Sequence, residues 1–263
     1  MSVLVRDENK AADLKARGIN IVKGNYDDYA SLVAAFEGVE KLVFVSGNDV
    51  VNRLPQHENV IKAAKEAGVK HVVYTSSERK NETATSPIAI ITEAHVKTEK
   101  WLEESGLQYT FLKNTLYMDL VPSLVDKVLE TGTVYYPAGK GKAALVLRTE
   151  MAEATANVLI TEGHEGKSYS ISNVENYSFQ DVADIISEIS GRKIIYVSPT
   201  VEEYTATLAN AGIPAAHSSI FAGMASAQAQ EEFANTSNDL EKLLGRKPMS
   251  LQEYLRPIYA NNN

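Results

Sequence analysis

Short apolar runs alternate with helical patterns along the first half of the chain, and this rhythm is typical of an α/β fold with a parallel sheet. The runs at Lys41–Ser46 and His71–Ser76 are almost continuously apolar, as in strands that are buried on both faces. We therefore expect a Rossmann-like, doubly wound parallel sheet. The predicted strands are Ser2–Val5, Ile19–Val22, Lys41–Ser46, His71–Ser76 and Gln108–Leu112, and the predicted helices are Asn9–Arg17, Gln56–Ala67 and Glu93–Ser105.

The second half of the chain loses this alternation and predicts a smaller, mixed C-terminal lobe on the substrate side. Ser178 precedes an apolar helical run and suits the N-cap position. We expect residues 1–120 to bind the nucleotide and residues 121–263 to form the substrate-side lobe, as two intertwined domains or as one. The predicted helices are Leu120–Glu130, Glu150–Ile160, Ser178–Ser190, Val201–Ala211, Ser218–Ala234, Asp239–Leu244 and Leu251–Ala260, and the predicted strands are Thr133–Tyr136, Ala143–Leu147, Ser168–Ile171 and Ile194–Val197.

The first 28 residues predict the second strand, the crossover helix and the third strand of a dinucleotide-binding fold. The first strand and its glycine-rich turn, within a unit of roughly 30 residues, are then expected upstream of Met1. The strands at Ser2–Val5 and Lys41–Ser46 would lack a shared neighbour and expose two sheet edges. We expect a truncated chain that is unstable and binds dinucleotide poorly, unless another subunit donates the missing strand.

The composition of the chain limits the partners and the chemistry that we expect for this protein. The chain has 263 residues, a formal net charge of −8 and no cysteine. The negative charge argues against a nucleic-acid or membrane-surface partner. The absence of cysteine excludes disulfides, thiol catalysis and cysteine metal sites. No apolar run approaches the roughly 20 residues of a membrane span, so a cytoplasmic protein is expected.

Small, hydroxylated and cationic side chains follow the predicted strands. Arg6 follows the predicted strand Ser2–Val5, at a position where an arginine accommodates the 2′-phosphate of NADP, although Asp7 in the next position weakens this preference. Ser46-Gly47 and Thr75-Ser76 end two buried strands, where they let a cofactor approach the backbone. Arg6 favours NADP over NAD, and the alternative is an arginine of a solvated loop. Serine and glycine at these strand ends also occur in ordinary turns.

Two further patterns need a structure to interpret them. Gly139–Ala144 matches G-x-G-x-x-A, but a strand pattern follows it, so we interpret it as a turn between strands. His95, Thr98 and Glu99 share one helical face, either as a polar edge near a nicotinamide or as a helix surface with a His–Glu pair. No metal site is expected from the five scattered histidines.

Several stretches together resemble the NmrA-like family of atypical short-chain dehydrogenases, of the NADPH:quinone oxidoreductase and triphenylmethane reductase type. The resemblance covers nearly the whole chain, and two departures stand out: Lys113 where the family usually has arginine, and the expected absence of the N-terminal strand and G-x-x-G-x-x-G segment. The stretches that carry it are residues 55–71, 74–76, 93–99, 109–114, 148–154 and 239–245.

The resemblance implies an NADPH-dependent reductase that passes hydride directly to a quinone or dye, without flavin or metal, and a possible homodimer. It also allows a nucleotide-binding regulator without turnover, or an inactive fragment. It assigns Arg6 to the 2′-phosphate, Asn25 and Tyr26 to the adenine, Ser46, Gly47, Thr75 and Ser76 to the cofactor path, His95 and Asn114 to the nicotinamide, and Tyr117 to the substrate.

Overall fold

A computed structural model describes residues 1–260 as an α/β protein with parallel strand pairs, which confirms the predicted fold class. Among these residues, no helix is long and apolar enough to cross a membrane. The strands are β1 (Ser2–Val5), β2 (Asn20–Lys23), β3 (Lys41–Phe44), β4 (His71–Ser77), β5 (Gln108–Asn114), β6 (Thr133–Tyr135), β7 (Lys167–Ile171) and β8 (Ile195–Val197).

The helices connect these strands and build most of the second half of the chain. They are α1 (Ala12–Ala16), α2 (Tyr29–Phe36), α3 (Arg53–Glu66), α4 (Ala89–Ser105), α5 (Val121–Leu124), α6 (Val128–Thr131), α7 (Arg148–Ile160), α8 (Phe179–Ser190), α9 (Val201–Asn210), α10 (Ala215–Ala229), α11 (Asp239–Leu244) and α12 (Leu251–Tyr259). Strands β1 and β2 form one sheet, β3-β4-β5-β7 a second in that order, and β6 and β8 a third.

The chain folds into two compact units. Unit 1 comprises Met1–Ser76, Glu93–Leu112 and Thr161–Ser168. Among the described residues, unit 2 comprises Ser77–Thr92, Lys113–Ile160 and residues 169–260. The assignment of residues 1–120 to nucleotide binding and of residues 121–263 to the substrate side stays a prediction.

Unit 1 is built around a cluster of aromatic rings. The Phe44 ring lies 5.1 Å from the Tyr74 ring and 4.7 Å from the His57 ring. Helix α3 contributes buried positions at His57, Val60 and Ile61, a helical spacing that turns one face of the helix into the core. The apolar run His71–Tyr74 of β4 is buried, as its sequence predicts.

Strand β3 differs from the prediction that both of its faces are buried. The residues Lys41–Val43 are exposed or half-buried, and Val45 is 56 % exposed. By contrast, His71–Tyr74 of β4 are all buried. The cause is position in the sheet, because β4 has a strand on each side whereas β3 is an end strand of the four-stranded sheet.

Unit 2 packs the second core around α8. The Ser178 side chain accepts from the backbone N of Asp181, and the Asp181 side chain accepts from the backbone N of Ser178. This reciprocal capping box confirms the predicted N-cap. The helix ends at Gly191, whose φ of +66° places it in the left-handed region that glycine adopts without strain.

The helix predicted over Leu120–Glu130 and the strand predicted over Ala143–Leu147 need correction, and one helix was not predicted. The helix predicted over Leu120–Glu130 is interrupted, because Lys127 adopts a left-handed conformation between α5 and α6. The strand predicted over Ala143–Leu147 is reduced to isolated bridges at Ala143 and Val146. Helix α2 was not predicted. Its N-cap Asp28 accepts from the backbone N of Ser31, and an aspartate before an apolar run is a sequence signal for a helix start.

Candidate functional site

The predicted cofactor residues of unit 1 lie where its parallel strands end, which is the edge at which α/β folds bind ligands. What each residue binds stays a prediction. They are Arg6 directly after β1, Asn25 and Tyr26 after β2, Ser46 and Gly47 after β3, and Thr75 and Ser76 at the end of β4.

Arg6 is exposed, and its neighbour Asp7 has a local role. The Asp7 carboxylate accepts from the backbone N of Asn9 at 3.0 Å and caps a short 3₁₀ helix over Glu8–Ala11. This contact engages one carboxylate oxygen of Asp7, the acidic residue beside Arg6.

Hydrogen bonds join the ends of β2, β3 and β4. The Tyr26 hydroxyl donates to the carbonyl oxygen of Val45 at 3.0 Å, and the backbone N of Ser46 donates to Thr75 Oγ1 at 2.9 Å. Burial raises the pKa of Tyr26 to about 12, which keeps this hydroxyl protonated as a donor. The loops after these strands are therefore tied to one another.

Helix α3 holds the loop after β3. The backbone N of Gly47 donates to His57 Nε2 at 3.0 Å, and Arg53 Nε donates to the Gly47 carbonyl at 2.6 Å. A Cβ at position 47 would lie 3.1 Å from Gln56 Oε1, so the close approach of the helix favours glycine here. Both backbone polar groups of Gly47 are thus engaged within unit 1.

His57 is a site-adjacent residue that sequence reasoning missed. Its Nδ1 lies 2.8 Å from Thr98 Oγ1, and Thr98 in turn donates to the Ala94 carbonyl at 2.6 Å. The network therefore assigns the imidazole proton to Nδ1, because Nε2 accepts from Gly47. Burial, reinforced by the positive charge of Arg53, lowers the pKa of His57 to about 3, so the ring is neutral.

The polar face of α4 points into the protein and bonds to different partners. His95 Nδ1 lies 2.8 Å from the Tyr74 hydroxyl, and the Ser76 hydroxyl donates to the Glu99 carboxylate in a short hydrogen bond. On this face of α4, His95, Thr98 and Glu99 are buried, so the interpretation of the face as a helix surface is wrong. These three residues and three buried partners form a set that we call the polar seam: His57, Tyr74, Ser76, His95, Thr98 and Glu99.

Two predicted site residues of unit 2, Asn114 for the nicotinamide and Tyr117 for the substrate, lie at the end of β5 and in the loop after it, and their roles stay predictions. The carbonyl of Asn114 accepts from the backbone N of Glu78 at 2.8 Å. Tyr117 is 39 % exposed, and the Arg148 guanidinium lies 5.7 Å from its ring centre. Arg148 also donates through its backbone N to Asp119 Oδ2 at 2.8 Å, which fixes the start of α7 beside this tyrosine.

The G-x-G-x-x-A match begins with a turn, as predicted, but isolated bridges take the place of the strand that was expected after it. Gly139 has a φ of +54°, and residues 141–147 after the turn are not helical. A Cβ on Gly141 would lie 2.0 Å from the carbonyl oxygen of Gln228. The second glycine is therefore explained by backbone packing within unit 2, and the segment lacks the strand–turn–helix context of a dinucleotide fingerprint.

Comparison with known proteins places this geometry in a family. The model of the NmrA-like family matches residues 1–255. Quinone oxidoreductase 2 of Escherichia coli is 35 % identical over 260 residues, covering 99 % of this chain and 90 % of the relative. Its structure complexed with NADPH has a TM-score of 0.92 to this chain at 34 % identity, covering 98 % of this chain and 90 % of the other.

Two other relatives carry related activities. The triphenylmethane reductase of Citrobacter sp. complexed with NADP(H) has a TM-score of 0.88 at 36 % identity, covering 97 % of this chain and 89 % of the other. An NAD(P)H azoreductase of Xenophilus azovorans is 27 % identical over 260 residues, covering 96 % of this chain and 87 % of the relative. The Rossmann-like architecture and the family resemblance are both confirmed, and the chain belongs to the NmrA-like family.

Proposed function

We propose that this protein is an NADPH-dependent oxidoreductase that delivers hydride directly to a quinone or similar flat acceptor, without flavin or metal. One observation carries the proposal: cationic and hydroxylated side chains end the parallel strands of unit 1, in a chain 35 % identical to a quinone oxidoreductase over 99 % of its length. The expected enzyme class and cofactor agree with the NADPH-bound and NADP(H)-bound relatives.

The donor set at the strand ends fits NADPH. Arg6 is exposed at the end of β1, where its guanidinium can pair with a 2′-phosphate in fork geometry. Gly47 is half-buried and has no side chain, and glycine lets a cofactor approach the backbone closely. The same proposal assigns Asn25 and Tyr26 to the adenine, and Ser46, Thr75 and Ser76 to the cofactor path.

The acceptor side needs residues that position a ring and exclude water more than it needs acid–base groups. When bound, NADPH supplies the hydride, and a reduced quinone takes its protons from solvent or nearby hydroxyls. We assign His95 and Asn114 to the neighbourhood of the nicotinamide. Tyr117 offers an exposed aromatic face on which a flat acceptor can stack.

Cofactor choice gives the first test. Replacing Arg6 by alanine should weaken NADPH binding about 10- to 100-fold, because a charge-assisted contact to the 2′-phosphate is lost. NADH binding should change less than about twofold, since NADH has no such phosphate. Nicotinamide fluorescence on titration measures both affinities. Arg17→Ala, which removes another exposed arginine of unit 1, is the matched control.

The outcome also separates two functions. Equal loss for both dinucleotides, or an equal effect of Arg17→Ala, would contradict the role of Arg6. Reduction of a quinone, an azo dye or a triphenylmethane dye by the wild-type protein would establish turnover. NADPH binding without reduction of any of them would favour a nucleotide-binding regulator over an enzyme.

A further inference from the structure

A buried glutamate of unit 2 holds the loop that follows β4. The Glu232 carboxylate accepts from the backbone N of Lys80 at 3.0 Å, from the backbone N of Asn81 at 2.9 Å and from Ser86 Oγ at 3.2 Å. The side chain is 2 % exposed. Hydrogen bonds to an ionised acceptor are about twice as strong as neutral ones, so one residue fixes both ends of this loop.

The same loop, residues 78–87, is held at its two ends by other contacts within unit 2. The backbone N of Glu78 donates to the Asn114 carbonyl, and Asn235 Nδ2 donates to Glu78 Oε2 at 3.3 Å. Helix α10 closes on the far end, where a Cβ on Gly223 would lie 3.0 Å from the Pro87 carbonyl oxygen. The loop thus begins beside Asn114 and is held in place by residues 223–235.

The middle of the 78–87 loop contributes nothing to a core. Lys80 and residues 82–85 are exposed, whereas Ser86 and Glu232 are buried. Burying a carboxylate costs free energy unless the carboxylate accepts hydrogen bonds. The buried Glu232 carboxylate accepts two of its hydrogen bonds from the backbone of a loop whose middle is exposed. This arrangement is typical of a binding loop whose shape is set in advance by a rigid scaffold.

We propose that Glu232 is a positioning residue that holds the 78–87 loop as a wall of the acceptor site and thereby sets the affinity for the acceptor. Ligands of α/β folds bind outside the carboxyl ends of the strands, and this loop continues directly from the end of β4. The inference rests on the proposed function for the identity of the acceptor. The loop-holding role of Glu232 rests on geometry alone.

The test compares two adjacent glutamates. Glu232→Gln removes the charge and points an amide donor at other donors, whereas Glu231→Gln changes an exposed neighbour. Trypsin cleavage after Lys80, identified by the mass of the 1–80 fragment, reports whether the loop is held. We expect cleavage at least about tenfold faster in Glu232→Gln and unchanged in Glu231→Gln.

Kinetics then separate positioning from general damage. With menadione as acceptor, KM for menadione should rise about tenfold in Glu232→Gln, while the NADPH dissociation constant stays within about twofold of the wild-type value. Ser86→Ala keeps both backbone contacts of Glu232 and should show a smaller rise in both cleavage and KM. It serves as the second variant if Glu232→Gln does not fold.

The outcomes decide the inference and the proposed function separately. Slow cleavage at Lys80 in Glu232→Gln, or equal losses of NADPH and menadione affinity, would overturn the inference. Fast cleavage with a selective rise in the menadione KM supports it. If the wild-type protein reduces no acceptor, the proposed function fails, and the cleavage rate alone then supports or overturns the loop-holding role.

Discussion

Buried polar side chains have different hydrogen-bond partners in the two units. The polar seam of unit 1 mainly joins side chains to side chains, as in His57–Thr98 and Tyr74–His95, although His57 also accepts from the backbone N of Gly47. In unit 2, the buried carboxylates of Glu150 and Glu232 accept from backbone N–H groups. A side-chain pair fixes where a helix lies on its sheet, whereas a carboxylate on backbone donors fixes the course of a loop. We therefore expect substitutions in the polar seam and substitutions of the buried carboxylates of unit 2 to have different effects on the protein.

Glu150 is the clearest example of a buried carboxylate that accepts from the backbone. Its carboxylate accepts from the backbone N of Met249 at 3.0 Å and from Arg246 Nη1 at 2.6 Å. Arg246 also reaches Glu153 at 2.6 Å, and both carboxylates raise the pKa of Arg246. Glu150 is buried while Glu153 is 44 % exposed, so one arginine meets one carboxylate of each kind.

The largest expected effect comes from removing the buried member of this pair. Glu150→Ala should lower the free energy of unfolding by about 3 kcal/mol, because the Met249 N–H loses its acceptor within the fold. Glu153→Ala should cost less than about 1 kcal/mol, as exposed ion pairs do. Urea unfolding at neutral pH measures both. Similar losses in the two variants would show that burial does not distinguish these carboxylates.

A smaller effect should appear as pH dependence in unit 1. His57 is neutral in the fold with a pKa of about 3, whereas an unfolded histidine titrates near 6.5. The unfolded state binds more protons between these values, so stability is complete above pH 6.5 and falls as the pH drops towards 3. Between pH 8 and pH 5, His57 should account for about 2 kcal/mol of lost stability.

The matched experiment replaces one histidine at a time. His57→Gln should make the loss of unfolding free energy on acidification smaller than in the wild-type protein, and His217→Gln, at an exposed site, should leave it unchanged. The curve of His57→Gln should not become flat, because burial also lowers the pKa of His71 and His164. An unchanged slope in His57→Gln would refute a neutral, buried His57.

The smallest effect isolates one link of the polar seam. Thr98→Val keeps the shape of the side chain but removes the acceptor for His57 Nδ1, and should lower the free energy of unfolding by about 1–2 kcal/mol. Thr98→Ser keeps the hydroxyl and should cost less. Chemical denaturation of the two variants measures the difference. If valine were as stable as serine, the link would contribute nothing.

Local signals predicted most of the fold, and their limits are physical. The capping box at Ser178 and the turn at Gly139 follow from chemistry within a few residues, so sequence was enough. The break at Lys127 could not be predicted, because a left-handed lysine is imposed by its surroundings. The exposure of β3 likewise depends on which strands lie beside it, which periodicity does not record.

The candidate site shows the same division. Strand ends with small and hydroxylated residues were visible from sequence, as was the shared face of His95, Thr98 and Glu99. Partners distant in sequence were not: His57 meets Thr98 across 41 positions, and Glu232 meets Lys80 across 152. No local pattern marks such pairs.

The sequence by itself determined the α/β rhythm, the strand ends that suit a dinucleotide and the resemblance to the NmrA-like family. These properties depend on residue type and spacing along the chain, which folding does not change. The tertiary structure alone decided that the polar face of α4 is buried and that Glu232 holds the 78–87 loop. Burial and hydrogen-bond partnership are relations between distant residues, and they exist only once the chain has folded.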